Sequence, residues 1–211
     1  EYSATMMPAG AKGTPNHAEK VMKYYSIATG DSSAEISLLE GNSGLKVVYY
    51  NQGDAAWKSI PYSTSTIGQS GCGPTSMAIC ISTLSGKKIT PRQTCQWAGS
   101  QGYYVKGAGS KHDVIPGLAK KYGVKCKGVG KNKPQIIQAL KTGKLVVAIM
   151  SAGHFTSGGH FIVLTGIKDG KITVADCGSR QRTKQTWSLD LIVNESNSSA
   201  SAGGPFWIIS K

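Results

Sequence analysis

Gly71-Cys72-Gly73-Pro74-Thr75-Ser76-Met77-Ala78 is the stretch on which the fold turns. Pro74 suits a first helical turn, where its missing N–H costs nothing, and Met77, Ala78, Ile81 and Leu84 then recur at helical spacing until Gly86 ends the run. The spacing predicts a buried helix with Cys72 at its opening. The partial positive charge and free N–H groups of a helix start favour an anion there, and a cysteine attacks as its thiolate. The flanking glycines allow a substrate backbone to come close. Taken alone, the pattern fits a small thiol buried in a glycine-rich turn equally well.

Upstream, Leu45-Lys46-Val47-Val48-Tyr49-Tyr50 reads as a strand, and a Gly-, Pro- and Ser-containing loop follows it to Gly71. Residues 1–45 read as an N-terminal extension or linker, with a helical look only over 17–28, so the domain is expected over 46–211. Downstream, helices are expected over 90–98, about 113–122 and 134–141. The period then changes, and 145–150, 161–167, 171–176 and 206–210 read as strands, with Asp169-Gly170 as a hairpin turn. Helices first and a mostly antiparallel sheet after them predict an α+β fold in which a helix packs across a sheet, without internal repeats or βαβ alternation.

The 211 residues carry a formal charge of +13, and residues 55–211 account for +15 of it. Such a surface suits a polyanion: nucleic acid, anionic lipid or the phosphate-rich wall polymers of Gram-positive bacteria. No nucleic-acid-binding module is legible, so no nucleic-acid partner is expected, and no apolar run reaches the roughly 20 residues of a membrane span. The start at Glu1 without a signal segment suggests that an upstream leader or domain has been removed. Five cysteines, at 72, 80, 95, 126 and 177, are an odd number without a Cys-x-x-Cys pair, which argues against a zinc site or a disulfide framework. Cys80 lies mid-helix among apolar residues and reads as a core thiol.

A cysteine nucleophile needs a base. Of His17, His112, His154 and His160, the last opens the apolar strand Phe161-Ile162-Val163-Leu164, which would hold it rigidly, whereas His154 leads into a Thr-Ser-Gly-Gly loop. Asp176 ends the partner strand, where a carboxylate fixes the imidazole tautomer and stabilises the imidazolium. Register tests this pairing. A plain two-residue turn at Asp169-Gly170 would set Asp176 opposite Val163 and send His160 to the other face of the sheet. A bulge at Gly170, or an equivalent one in either strand, would bring Asp176 opposite Ile162 and make His160 its diagonal neighbour on the same face. The backbone N–H of Cys72 and the side chain of Gln69 are the candidate oxyanion donors.

These residues, with Tyr50-Asn51-Gln52-Gly53-Asp54, Trp57, Pro61-Tyr62 and Thr66-Ile67-Gly68, resemble the papain-like cysteine peptidases of the bacteriocin-processing, double-glycine-leader group, in its broad C39-like bacterial branch. The likeness runs over about 48–209. It implies a papain-like fold with Cys72 as nucleophile, His160 as base then acid, and Asp176 as orienter, without metal or cofactor. The group usually has Pro after this Asp, where this chain has Cys177, and often a small residue at the position of Gln69. The expected function is hydrolysis of peptide bonds, secreted or wall-associated in a bacterium, on peptide or protein substrates that include peptidoglycan peptides, with an anionic wall polymer as a further partner. The alternatives are transglutaminase-like acyl transfer or a non-catalytic wall- or peptide-binding module. Tyr103, Tyr104 and Phe155 are candidates for lining the substrate cleft, though loop aromatics at such positions more often pack locally.

Overall fold

The structure is a computed structural model that describes residues 45–211 and the backbone of Ser37–Glu40. The chain divides into units 1–36 and 37–211, and the helix expected over 17–28 lies outside the described residues. The second unit opens with β1 (Ser37–Glu40), which pairs antiparallel with β2 (Lys46–Tyr49). Val47 to Tyr49 are buried, on a strand that β1 pairs.

Two short strands, β3 (Pro61–Tyr62) and β4 (Ser65–Thr66), lead into the single-turn helix α1 (Ile67–Ser70). Helix α2 (Cys72–Ser85) follows after Gly71 and ends at Gly86, whose φ of 71° gives the left-handed cap that glycine adopts freely. It starts two residues earlier than Pro74 alone suggested, so Cys72 sits inside the first turn. Eleven of its residues are buried. At about 1.5–3 kcal/mol for each large aliphatic side chain, that burial outweighs the helix's β-branched content.

Helix α3 (Pro91–Ser100) starts on a capping box in which Thr90 and Gln93 satisfy each other's backbone N–H groups. The hairpin β5 (Tyr104–Val105) and β6 (Gly109–Ser110) precedes α4 (Val114–Tyr122), which packs on α2. Beyond it come β7 (Lys125–Gly128), α5 (Lys133–Lys141), β8 (Leu145–Met150), β9 (His160–Lys168) and β10 (Lys171–Ala175). The short helix α6 (Arg180–Thr183), β11 (Thr186–Trp187), α7 (Leu189–Glu195) and β12 (Phe206–Ser210) complete the chain.

The main sheet has six strands in the order β11-β10-β9-β8-β12-β7, each pair antiparallel. Because β12 enters between β7 and β8, those two strands run parallel and α5 is the crossover between them, a unit that the sequence does not announce. β8 is buried along its whole length, as a central strand covered on both faces must be. One face carries Val146, Ala148, Ile162, Leu164 and Val174 against Ile136 and Leu140 of α5 and Ile192 of α7. Across the other, α2 packs on β9. This is the expected α+β, papain-like arrangement, and it lays the start of α2 beside the start of β9.

Candidate active site

The hairpin register brings the sequence-predicted residues together through the second of the two expected devices, a bulge in one strand, and not through one at Gly170. Lys168 pairs with Lys171 across a tight two-residue turn in which Asp169 (φ 49°) and Gly170 (φ 73°) are both left-handed. Further along, Thr173 faces Gly166 but Val174 faces Leu164, so Thr165 is the extra residue of a bulge in β9. Its Oγ1 is tied to Thr173 Oγ1 at 2.9 Å. The slip places Asp176, next after the Ala175–Val163 pair, level with Ile162. His160 Nε2 then meets Asp176 Oδ1 at 2.7 Å.

Asp176 is fully buried and His160 is 8% exposed. The Asp176 carboxylate accepts from Gly178 N–H at 2.8 Å on Oδ1 and from Arg182 Nε at 2.5 Å on Oδ2. Its backbone is held too: Tyr49 Oη donates to its carbonyl at 2.8 Å, and its N–H donates to Thr183 Oγ1 at 3.0 Å. Gly178 sits close by necessity, since a Cβ there would lie 3.0 Å from His160 Cε1 and 3.2 Å from Nε2.

With Nε2 engaged by Asp176, the other ring nitrogen of His160 is left for the hydrogen bond with the Cys72 thiol. Burial raises the pKa of Cys72, but the hydrogen bond and charge of His160 and the N–H groups of Phe161 and Gly73 outweigh it, and the net direction is down. Burial lowers that of His160, yet Asp176 and Cys72 lift it to about 9. For Asp176, burial pushes up, while His160 and Arg182 bring it below the usual carboxylate range. All three shifts run in the direction that favours the charged form: thiolate, imidazolium and carboxylate. Burial drives the thiols of Cys80 and Cys95 up and that of Cys126 to about 11. Cys177 also goes up, through burial and the charges of Cys72 and Asp176.

The glycines beside Cys72 serve packing. A Cβ on Gly71 would come within 2.6 Å of the Ile67 carbonyl oxygen, and one on Gly73 within 3.2 Å of the Phe161 ring. They let α1 turn into α2 and let α2 approach β9, which is what positions the thiol.

The two glutamines separate. Gln69 is exposed on α1, where its Oε1 accepts from Ser65 Oγ at 3.2 Å. Gln52 instead reaches the site: its N–H donates to the Cys177 carbonyl at 2.7 Å and its Oε1 accepts from Cys177 Sγ at 3.5 Å. That same sulfur lies 3.5 Å from the Cys72 carbonyl oxygen. Gln52 Nε2 donates one proton to the Gly68 carbonyl at 2.8 Å and keeps a second. The loop is built by Asn51, whose Oδ1 accepts from Gly53 N–H, whose Nδ2 donates to Tyr49 Oη, and whose carbonyl accepts from Trp57 Nε1. Gln52 thus packs against Cys177 and the Gly68 carbonyl, whereas Gln69 bonds Ser65 on the exposed side of α1. Gln52 stands in the Tyr50-Asn51-Gln52-Gly53-Asp54 stretch that carries the resemblance, but its partners lie 16 and 125 residues away, so the stretch alone does not give it a role.

His154 lies elsewhere: it is exposed, its ring pairs with Glu195 Oε1, and its N–H donates to Glu195 Oε2 at 2.8 Å. The aromatic candidates pack locally. Phe155 is 1% exposed, with its ring 4.5 Å from that of Trp187, Tyr103 leans on Trp97, and Tyr104 meets Tyr62 edge-on. Among the described residues no group of three or more His, Cys, Asp and Glu side chains is placed to hold a metal ion, and no helix is long and apolar enough to cross a membrane.

Two solved structures are similar at low identity. A crystal structure described as a C39-like peptidase from Bacillus anthracis is 16% identical with a TM-score of 0.49, covering 84% of this chain and 98% of that one. The peptidase domain of Streptococcus ComA, a bi-functional ABC transporter involved in quorum sensing, is 13% identical with a TM-score of 0.48, covering 67% and 91%. No curated protein matches. The sequence pattern of the Peptidase_C39 like family matches residues 44–202, three quarters of the chain. The chain thus belongs to the Peptidase_C39 like family, at family level a group of cysteine peptidases.

Proposed function

We propose that the protein hydrolyses peptide bonds with Cys72 as nucleophile, His160 as general base then acid, and Asp176 as orienter. The observation that carries this reading is the continuous chain from the Cys72 thiol through the His160 ring to the buried Asp176 carboxylate. The thiolate attacks a peptide carbonyl carbon, and the oxyanion takes hydrogen bonds from the Cys72 N–H and the second Nε2 proton of Gln52. His160 gives its proton to the leaving amine. Water, deprotonated by His160, then attacks the thioester and releases the acid, returning the proton to the thiol–imidazole pair.

The strongly basic chain supports a substrate on a polyanionic surface, which makes peptides of a bacterial cell wall the substrate class and an extracellular, wall-associated location the setting. Digestion of purified peptidoglycan beside a denatured protein, comparing wild type with Cys72→Ala, tests the reading. New free amino groups from the wild type alone are expected. Equal release by both proteins contradicts it.

A further inference from the structure

The edge strand β7 reads Lys125-Cys126-Lys127-Gly128, and strand alternation sends both lysines to one face of the sheet while Cys126 faces the other way. Ser210 and Ile208, the cross-strand partners of Lys125 and Lys127, share the lysine face, and α5 borders it. Together with Lys144 these elements enclose a cleft of about 410 Å³, lined on the α5 side by Gln135, Gln138 and Thr142. Lys127 Nζ donates to Gln135 Oε1 at 3.0 Å, which draws one ammonium group across the cleft.

No carboxylate lines it. The acid at the start of α7, Asp190, is spoken for by Lys133 Nζ at 2.6 Å. Lys125, Lys127 and Lys144 are all exposed and share a small volume whose lining holds no acidic side chain, and at its edge Ser210 Oγ donates to an oxygen of Lys211 at 3.4 Å. Lysines on an edge strand also discourage edge-to-edge pairing, but Lys144 lies outside that strand and adds a third cation to the same hollow.

We propose that this cleft binds a polyol-phosphate chain of the poly(glycerol phosphate) kind. Three lysines act as point charges for successive phosphates. The amides of Gln138 and Gln135 and the hydroxyls of Thr142 and Ser210 suit the hydroxyl groups of a polyol linker. The lining holds no aromatic ring and no arginine, so it offers neither the stacking platform nor the forked donor with which proteins hold nucleic-acid strands. β7 is three strands from β9, roughly 14 Å across the sheet at about 4.8 Å per strand, so a polymer seated there leaves Cys72 open to a peptide.

Fluorescence anisotropy of labelled poly(glycerol phosphate) against the full chain tests the site. Wild-type binding that weakens with salt is expected. The triple variant Lys125→Ser, Lys127→Ser, Lys144→Ser is expected to lose at least about tenfold in affinity at low salt, with a logarithmic salt slope lower by about 2 for three lost phosphate contacts. Replacing the same three by Arg retains affinity, which separates loss of charge from misfolding. A control triple at Lys87, Lys168 and Lys171, also to Ser, changes net charge equally and is expected to stay within twofold of wild type. The proposal is overturned by equal losses in the two Ser triples, by an absence of wild-type binding, or by tighter binding of oligothymidylate than of the polyol phosphate. Hydrolysis of a soluble peptide, measured alongside, is expected to be unchanged in the triple variant. A wild type that binds the polymer but cleaves nothing defeats the peptidase reading and leaves the cleft standing.

Discussion

Arg182 Nε donates to Asp176 Oδ2 at 2.5 Å, on the oxygen opposite the one that meets His160. The guanidinium holds the carboxylate ionised and turned so that Oδ1 faces the imidazole. Arg182 is itself placed by Ser179, whose Oγ accepts its N–H at 3.1 Å, and by Trp187 Nε1, which donates to its carbonyl. Arg182→Gln is expected to lower kcat about tenfold with little change in KM, because the loss falls on a group that does not touch substrate. Arg182→Lys is expected to recover part of it. Steady-state kinetics on one peptide check this, and an unchanged kcat in both variants sinks the role.

Wild-type activity is expected to follow a bell in pH. Below the lowered pKa of Cys72 the thiolate is protonated, and above about 9 His160 loses the proton that the leaving amine needs. The alkaline limb of kcat/KM therefore falls near 9. In Asp176→Asn the carboxylate charge that helps raise the His160 pKa is gone while the contribution of Cys72 stays, so the limb moves down from about 9 and the rate at the optimum falls by about 10²–10⁴. An alkaline limb that stays in place assigns it to some other group.

Gly178→Ala would set a Cβ 3.0 Å from His160 Cε1 and 3.4 Å from Asp176 Oδ1. Gly178 is exposed and its φ is not left-handed, so folding is expected to tolerate the methyl, while the imidazole must shift by some tenths of an ångström. A fall of about tenfold to a hundredfold in kcat with an unchanged Tm is expected. A matching fall in Tm would make the position structural instead.

The helices and the four long strands of the sheet are legible because each follows from a local pattern. Met77, Ala78, Ile81 and Leu84 repeat at one helical face, and Leu145 to Met150 form an apolar run of strand length. What stays hidden depends on non-local pairing. β7, with Lys125 and Lys127 in a four-residue segment, has no apolar alternation and is a strand only because β12 pairs with it. The bulge shows the same limit: the need to bring Asp176 and His160 to one face required it at Gly170 or in one of the strands, and only the pairing of Thr165 with Thr173 marks which of these it is. Arg182 is invisible for that reason too, since it is the sheet that brings the Asp176 carboxylate to it, and Gln52, though part of the Tyr50–Asp54 stretch, gains its contact with the Cys177 carbonyl in the same way.

The most direct test of the central claim, an activated thiolate at Cys72, is the rate of iodoacetamide alkylation at each cysteine as a function of pH, read by peptide mass spectrometry. Cys72 is expected to react with an apparent pKa clearly below 9 and far faster than Cys80 or Cys126 near neutral pH, and His160→Ala is expected to move that pKa upward. A Cys72 that titrates no lower than Cys126, or that is indifferent to the loss of His160, would contradict the account.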